Sequence, residues 1–259
     1  MCGLFRIARS TVRYVSVASD QAWLKKRIRE IAEQHPAWGY RRITVKLRRE
    51  GLKVNAKRVY RLYRESDLVM KRVRKRRHRS SVQRSQRPSA HRANETWSMD
   101  FMADETYDGR RFRILTVVDD FTRECLAAEA GQRMTGRLVK ATLEQVALRR
   151  GALPDRIRVD NGSEFTSKVL DHWAYGAGVK LDFSRPGKPM DNGIIEAFNG
   201  RLRDECLNAN WFLSLPDARQ KLAEWRRHYN AERPHSALGN LAPAEYAALN
   251  RREVEAGTG

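Results

Sequence analysis

The sequence predicts two folds in tandem: an all-α, helix-turn-helix-like unit at the N-terminus, then an α/β unit built on a mixed sheet. Three observations predict it. Apolar residues in the first seventy positions recur at helical spacing among basic ones, whereas from Trp97 onward short β-favouring runs alternate with helical segments. The charge is also divided: residues 1–96 carry 27 basic and 7 acidic side chains, and residues 97–259 carry 24 of each. The whole formal charge of +20 therefore belongs to the front of the chain, and points to a polyanionic partner, nucleic acid before a membrane surface.

At 259 residues the chain is long enough to bury a real core. Cys2, Cys125 and Cys206 are odd in number and far apart, which excludes a disulfide framework and a Cys-based zinc site and suits a reducing cytosol. Neither a membrane-length apolar run nor the apolar block of a signal peptide is present, so no membrane partner is expected.

Taken in order, Ile7 to Tyr14 reads as the end of a small helical unit, with Ser10-Thr11 as its N-cap. A clearer helix begins at Ser19-Asp20, its apolar stripe formed by Trp23, Leu24, Ile28 and Ile31, and stops near Pro36. Trp38-Gly39-Tyr40 opens a second, which Gly51 ends as a C-terminal cap. Asn55 caps a third, from Ala56 to Glu65, with Val59, Leu62 and Tyr63 inward and Lys57, Arg58, Arg61 and Arg64 outward. Three short helices whose last is basic outside match a helix-turn-helix, and those four residues are candidate DNA contacts. A plain three-helix bundle with a solvated basic face is the alternative. The run Lys71 to Arg79, with candidate contacts Arg74, Lys75, Arg76 and Arg77, is too charged to bury a core and reads as an arm on phosphate backbone.

Trp97–Met102, Phe112–Val118 and Cys125–Glu129 read as an antiparallel meander. Helix Thr135–Arg150, strand Arg156–Asp160, helix Ser167–Tyr175, strand Val179–Phe183 and helix Asn192–Asn208 complete a mixed α/β sheet. A helix from Asp217 to Tyr229 and a short one from Pro243 follow.

Three acids attract attention. Strand alternation puts Trp97, Met99 and Phe101 on one face and Ser98, Asp100 and Met102 on the other, so Asp100 is a carboxylate in an apolar strand, costly unless paired or metal-bound. Asp160 ends its strand at Asn161-Gly162, where ligand sites gather but where Asp-Asn-Gly is more often a turn alone. Glu196 lies in a first helical turn, where an acid ordinarily offsets the dipole; the apolar stripe of that helix is Ile195, Phe198, Leu202 and Cys206. Asp119-Asp120, Glu164, Asp191 and Asp204-Glu205 compete with these three, and residue chemistry alone does not select among them.

Order and context do. Asp100 in Trp-Ser-Met-Asp, Asp160 in Val-Asp-Asn-Gly-Ser-Glu-Phe and Glu196 in Asp-Asn-Gly-Ile-Ile-Glu-Ala-Phe-Asn-Gly, the last two separated by 35 residues, resemble the Asp-Asp-Glu core of retroviral integrases and bacterial transposases. More closely, the chain resembles the second-frame (OrfB-type) transposase of insertion-sequence family three over nearly its whole length. Trp38-Gly39-Tyr40-Arg41-Arg42-Ile43, the run Val54 to Leu62, Ser184 to Pro189 and the run Tyr229 to Gly239 support it.

The resemblance implies a ribonuclease H-like catalytic core, with residues 1–70 as the helix-turn-helix-like region, 71–95 a basic linker, 96–208 the core and 209–259 a C-terminal helical subdomain. It implies that Asp100, Asp160 and Glu196 hold two Mg2+ or Mn2+ ions. The activity implied is nicking that exposes a 3′ hydroxyl at an element end, then attack of that hydroxyl on a second phosphodiester. The partners implied are double-stranded DNA of element ends and target, a homo-oligomer on DNA and an upstream-frame protein, in the bacterial cytoplasm at the nucleoid. Lys188, Asn192, Asn199 and Arg203 are candidate strand contacts, with Asn192 alternatively a cap. Trp225, Tyr229 and Leu238 read as packing residues, and His235 as a structural hydrogen-bond partner rather than a catalyst. No His-His-Cys-Cys zinc module of the retroviral kind is present. A catalytically inactive DNA-binding regulator, a decayed copy and a plain nuclease remain as alternatives.

Overall fold

The computed structural model describes residues 21–70, 89–185 and 192–257, with Ala8 and Arg13 besides. The reading of residues 7–14 as a helical unit therefore lies largely outside the described residues. Two compact units divide the chain, Met1–Arg72 and Val73–Gly259.

In the first unit, α1 (Ala22–Gln34), α2 (Tyr40–Arg49) and α3 (Ala56–Glu65) close a core of Leu24, Ile28, Ile31, Trp38, Ile43, Leu47, Val59, Leu62 and Tyr63. Trp23, expected in the apolar stripe, is instead 56% exposed, because its position falls on the outer edge of α1. Gly51 takes φ +84°, the left-handed conformation that lets the chain leave α2 at no steric cost. The Asn55 side chain accepts a hydrogen bond from Lys57 N at 2.9 Å and so starts α3.

The second unit is a five-stranded sheet in the order β3-β2-β1-β4-β5, comprising β1 (Thr96–Glu105), β2 (Arg111–Asp119), β3 (Cys125–Gly131), β4 (Arg156–Val159) and β5 (Lys180–Phe183). The first three form the antiparallel meander; β4 and β5 join in parallel through α4 (Gly136–Arg150) and α5 (Lys168–Gly176). Trp97, Met99, Leu115 and Val117 bury one face of the sheet under α4 and α5. On the opposite face Met102, Ile114 and Val118 meet α6 (Gly193–Leu202) and α7 (Leu215–Ala231). The strand alternation legible in sequence thus assigns Asp100 to the α6 side.

The helix expected to run from Asn192 to Asn208 is α-helical only to Leu202; Arg203–Leu207 continues it as a π segment. Such a one-turn widening shifts the helical face, and it lets both Cys206 and Leu207 enter the core. Glu205 meets Arg233 there at 2.6 and 2.7 Å, in a pair whose side chains are almost wholly buried. Arg233 also touches His235 Nε2 at 3.2 Å, and the His235 ring stands edge-on to Tyr229. His235 is thus a structural hydrogen-bond partner, and Trp225, Tyr229 and Leu238 are buried. A final helix, α8 (Pro243–Gly257), closes the chain. Among the described residues no helix is long and apolar enough to cross a membrane.

Candidate active site

β-register, which sequence does not display, brings the first two acids together. In the parallel β1–β4 pair Thr96 lies beside Arg156 and Ser98 beside Arg158. The ladder ends there, and Asp100 and Asp160 lie two residues further along each chain, near enough for the Asp160 charge to act on Asp100. Asp160 has just left β4, and its Oδ1 accepts a hydrogen bond from Gly162 N at 2.9 Å. The Asp-Asn-Gly turn is therefore real, and it orients this carboxylate. A Cβ added at Gly162 would lie 2.9 Å from that oxygen, so a larger residue there would push the carboxylate aside.

Asp100 is half-buried and the most constrained of the three. Its Oδ1 accepts from Phe101 N at 2.7 Å and its Oδ2 from Asn199 Nδ2 at 2.9 Å. Burial raises its pKa; the two hydrogen bonds oppose the rise, while the negative charges of Asp160 and Glu196 add to it. Glu196 is exposed in the first turn of α6, one turn before Asn199 on the same helix. Among the described residues no ion pair within 4.0 Å neutralises any of the three.

The charges of Asp160 and Glu196 thus act on Asp100, yet among the described residues no three His, Cys, Asp or Glu side chains are arranged to hold a metal ion as they stand. The donor set nevertheless fits hard divalent cations. It offers only carboxylate oxygens, two of its members are exposed, and the third is half-buried near the charges of the other two.

The competing acids are accounted for structurally. Asp119 is fully buried and accepts backbone N–H groups of Asn94, Phe121 and Thr122, with Arg150 beside it. Asp120 pairs with buried Arg158 at 2.9 Å; burial pushes its carboxyl up to about 6 against that attraction. Glu164 pairs with Arg113, and Glu205 with Arg233. Asp204 is exposed, and Asp191 lies outside the described residues.

Asn199 requires a correction. Expected to contact DNA, it is 8% exposed and both ends of its amide are occupied: Nδ2 by Asp100 and Oδ1 by the hydroxyl of Thr116 at 2.9 Å. Thr116 is itself fully buried, stands opposite Asp100 in the β1–β2 ladder and also reaches the Asp100 carbonyl at 3.1 Å. Sequence reasoning missed Thr116; its only signal was a single hydroxyl within the apolar run Ile114 to Val118. Replacing Asn199 with Leu is expected to lower turnover by about 10- to 100-fold, the scale seen when a ligand loses its supporting partner. Unchanged DNA affinity alongside that loss, in a gel-shift measurement, would separate positioning from strand contact.

Among the other candidates, Lys57, Arg61 and Arg64 are exposed on α3, with Arg61 3.7 Å from Glu65 and Arg64 over the Tyr60 ring. Arg58 is drawn partly inward, its Nε donating to Gln21 Oε1 at 2.8 Å, which makes it a tether for α1 as well. Arg203 is exposed and donates to the Ala103 carbonyl at 3.3 Å. Asn192 is buried and makes no side-chain cap bond. Arg74, Lys75, Arg76, Arg77 and Lys188 lie outside the described residues.

Comparison with known proteins agrees with this architecture. Two integrase core domain families match residues 90–189 and 177–243, and an HTH-like domain family matches 18–77. The insertion element IS407 uncharacterized 31.7 kDa protein of Burkholderia multivorans is 44% identical over 98% of this chain and 92% of its own length. The putative transposase InsK for insertion sequence element IS150 of Escherichia coli is 30% identical over 93% of this chain and 89% of its own. A simian T-cell lymphotropic virus intasome, solved with PP2A regulatory subunit B56 gamma, matches with a TM-score of 0.57 at 16% identity, covering 85% of this chain and 74% of that one. That likeness concerns fold, and it is the ribonuclease H-like fold of integrase catalytic cores. With a basic three-helix unit, an integrase core and these relatives along nearly its whole length, the chain belongs to the insertion-element transposases of the integrase-core class, in the second-frame branch of insertion-sequence family three.

Proposed function

We propose that Asp100, Asp160 and Glu196 are the catalytic carboxylates of an Asp-Asp-Glu polynucleotidyl transferase, and that they ligate two Mg2+ or Mn2+ ions. The observation that carries this reading is the half-buried Asp100 carboxyl, its pKa raised, near the charges of Asp160 and Glu196, with no cationic side chain among the described residues ion-paired to any of the three. When bound, such ions polarise the scissile phosphate and lower the pKa of the attacking hydroxyl. The chain's own part is positioning. Asn199, itself held by Thr116, bonds the Asp100 carboxylate, the Gly162 N–H orients Asp160, and α6 carries Glu196 one turn from Asn199.

The reaction runs in two displacements. Water attacks a phosphodiester at an element end, breaking the P–O3′ bond on its far side and leaving a free 3′ hydroxyl. That hydroxyl then attacks a target phosphodiester; a new P–O bond forms as an old one breaks, so no external energy source is needed.

Residues 96–208 serve as the catalytic core, 209–259 as its helical cover, 71–95 as a basic linker and 1–70 as the DNA-reading unit. Lys57, Arg58, Arg61, Arg64, Arg74, Lys75, Arg76, Arg77, Lys188 and Arg203 are the proposed phosphate contacts. Bringing two ends together calls for a homo-oligomer on DNA, acting at the bacterial nucleoid, with an upstream-frame protein as further partner.

The test is purified protein with labelled element-end duplex and Mg2+, products resolved as nicked and joined. Wild type is expected to give both, and Asp160→Asn neither. Wild-type activity in Asp160→Asn would refute the assignment, nicking without joining would make the protein a nuclease, and binding without either product would make it a regulator.

A further inference from the structure

A second feature of the catalytic unit has no role in the site above. At the far end of β1, the β1–β2 turn and the loop after the π segment enclose a cleft of about 370 Å³. Tyr107 and Trp211 flank it edge-on, ring centroids 5.9 Å apart, yet they are 73% and 76% exposed. Neither is on a loose loop. Tyr107 N donates to the Phe212 carbonyl at 2.7 Å, Lys221 Nζ to the Trp211 carbonyl at 2.7 Å, and buried Phe212 packs edge-on against Phe112. The frame holds two large aromatic faces in water, an arrangement typical of interface anchors.

The polar lining says what would cover them. Asp104 and Glu105 line the cleft with Asn208 and Asn210, and among the described residues neither carboxylate is ion-paired; Arg111, the cross-strand neighbour of Glu105, makes no pair with it. Nearby Arg110 is taken by Asp108, and Arg203 by the Ala103 carbonyl. Two unpaired carboxylates repel DNA phosphate. Carboxylates beside Trp and Tyr faces suit guanidinium groups, through charge-assisted hydrogen bonds and cation–π stacking.

We propose that this cleft is a docking site for the arginine-rich run of a second copy of this chain, Lys71-Arg72-Val73-Arg74-Lys75-Arg76-Arg77-His78-Arg79. That run is the most cationic stretch of the sequence, with seven Lys or Arg in nine residues. A second copy is the source because a chain would have to turn its own run back past β1. To do so the segment from Arg79 to Ser89, about 35 Å at full stretch, would have to lie almost straight along the ten residues of β1, an ordering cost that a run arriving from another molecule avoids. The same arginines are proposed phosphate contacts, so docking and DNA binding exclude each other, and the cleft holds DNA-free copies together until DNA displaces the run.

The experiment uses the full chain in two arms. In the first, a fluorescent peptide of residues 71–79 is titrated by anisotropy against wild type, Trp211→Ala and Asp104→Asn/Glu105→Gln. At least tenfold weaker binding is expected in both variants, and displacement of the peptide by duplex DNA that binds it. In the second, analytical ultracentrifugation without DNA is expected to show self-association in wild type that Trp211→Ala and the charge variant reduce, with circular dichroism confirming that each is folded. Equal peptide binding by wild type and variants would overturn the site. Variant-sensitive peptide binding with unaltered self-association would overturn the second copy as its source.

Discussion

Asp100→Asn is expected to reduce nicking and joining by at least about a thousandfold, some 4 kcal/mol of transition-state stabilisation, while making the metal-free protein more stable. Both effects follow from one arrangement. The Asp100 pKa is raised by burial, and the neighbouring Asp160 and Glu196 charges reinforce the rise. A carboxyl whose folded pKa lies above its unfolded value holds its proton more tightly when folded. The native state therefore bears no penalty below the unfolded pKa; the penalty develops as pH rises through the folded pKa and is complete above it.

Asparagine removes that charge, so the variant should melt higher than wild type at pH 7 and the difference should shrink in acid. Added Mg2+ should raise the melting temperature of wild type, since a ligand that binds only the folded state stabilises it, and should have little effect on the variant. Thermal melts over a pH series, with and without Mg2+, check the argument. A variant that melts lower than wild type at neutral pH, by a gap that closes in acid, would mean that Asp100 is a structural acid.

Arg233→Met should be the most damaging single change to the fold. Glu205 would lose both of its guanidinium contacts while still sequestered in the core. Breaking a buried pair by removing one partner costs about 3–5 kcal/mol, because the other charge stays buried without its counter-ion. In a unit of this size that lowers the melting temperature by roughly 6–20 °C. The companion Arg233→Met/Glu205→Leu should recover most of the loss, since an apolar pair of similar volume leaves no charge to desolvate. Activity should fall with Arg233→Met as well, because the π segment that Arg233 anchors continues directly from the helix bearing Glu196. A double variant no more stable than the single one would locate the damage in packing instead of charge.

Much of this was legible in the residues. Periodicity located the three N-terminal helices to within a few positions, since each has an apolar stripe and two have local caps, Gly51 and Asn55. The meander could be read because β1 to β3 are β-favouring or apolar runs with short polar connections, and alternation along β1 assigned the face of Asp100. The end of α6 was not legible: Ile195, Phe198, Leu202 and Cys206 keep helical spacing throughout, so the change to π geometry leaves no mark in the apolar stripe. Asn199 was misread because helical spacing reports only that a residue lies at an edge of the stripe.

By itself, then, the sequence determined the basic front unit, the α/β order, the helical face of Glu196 and, through motif resemblance, which acids to consider. Each of those is local or ordered along the chain. Tertiary structure alone decided that Asp160 stands beside Asp100, that Thr116 and Asn199 brace it, and that Asp119, Asp120, Glu164 and Glu205 are occupied elsewhere. Those facts depend on strand register and on which helix crosses which strand. A carboxylate's role depends on the charges around it, and the chain brings those charges together from positions up to about a hundred residues apart, a distance across which local pattern carries no information.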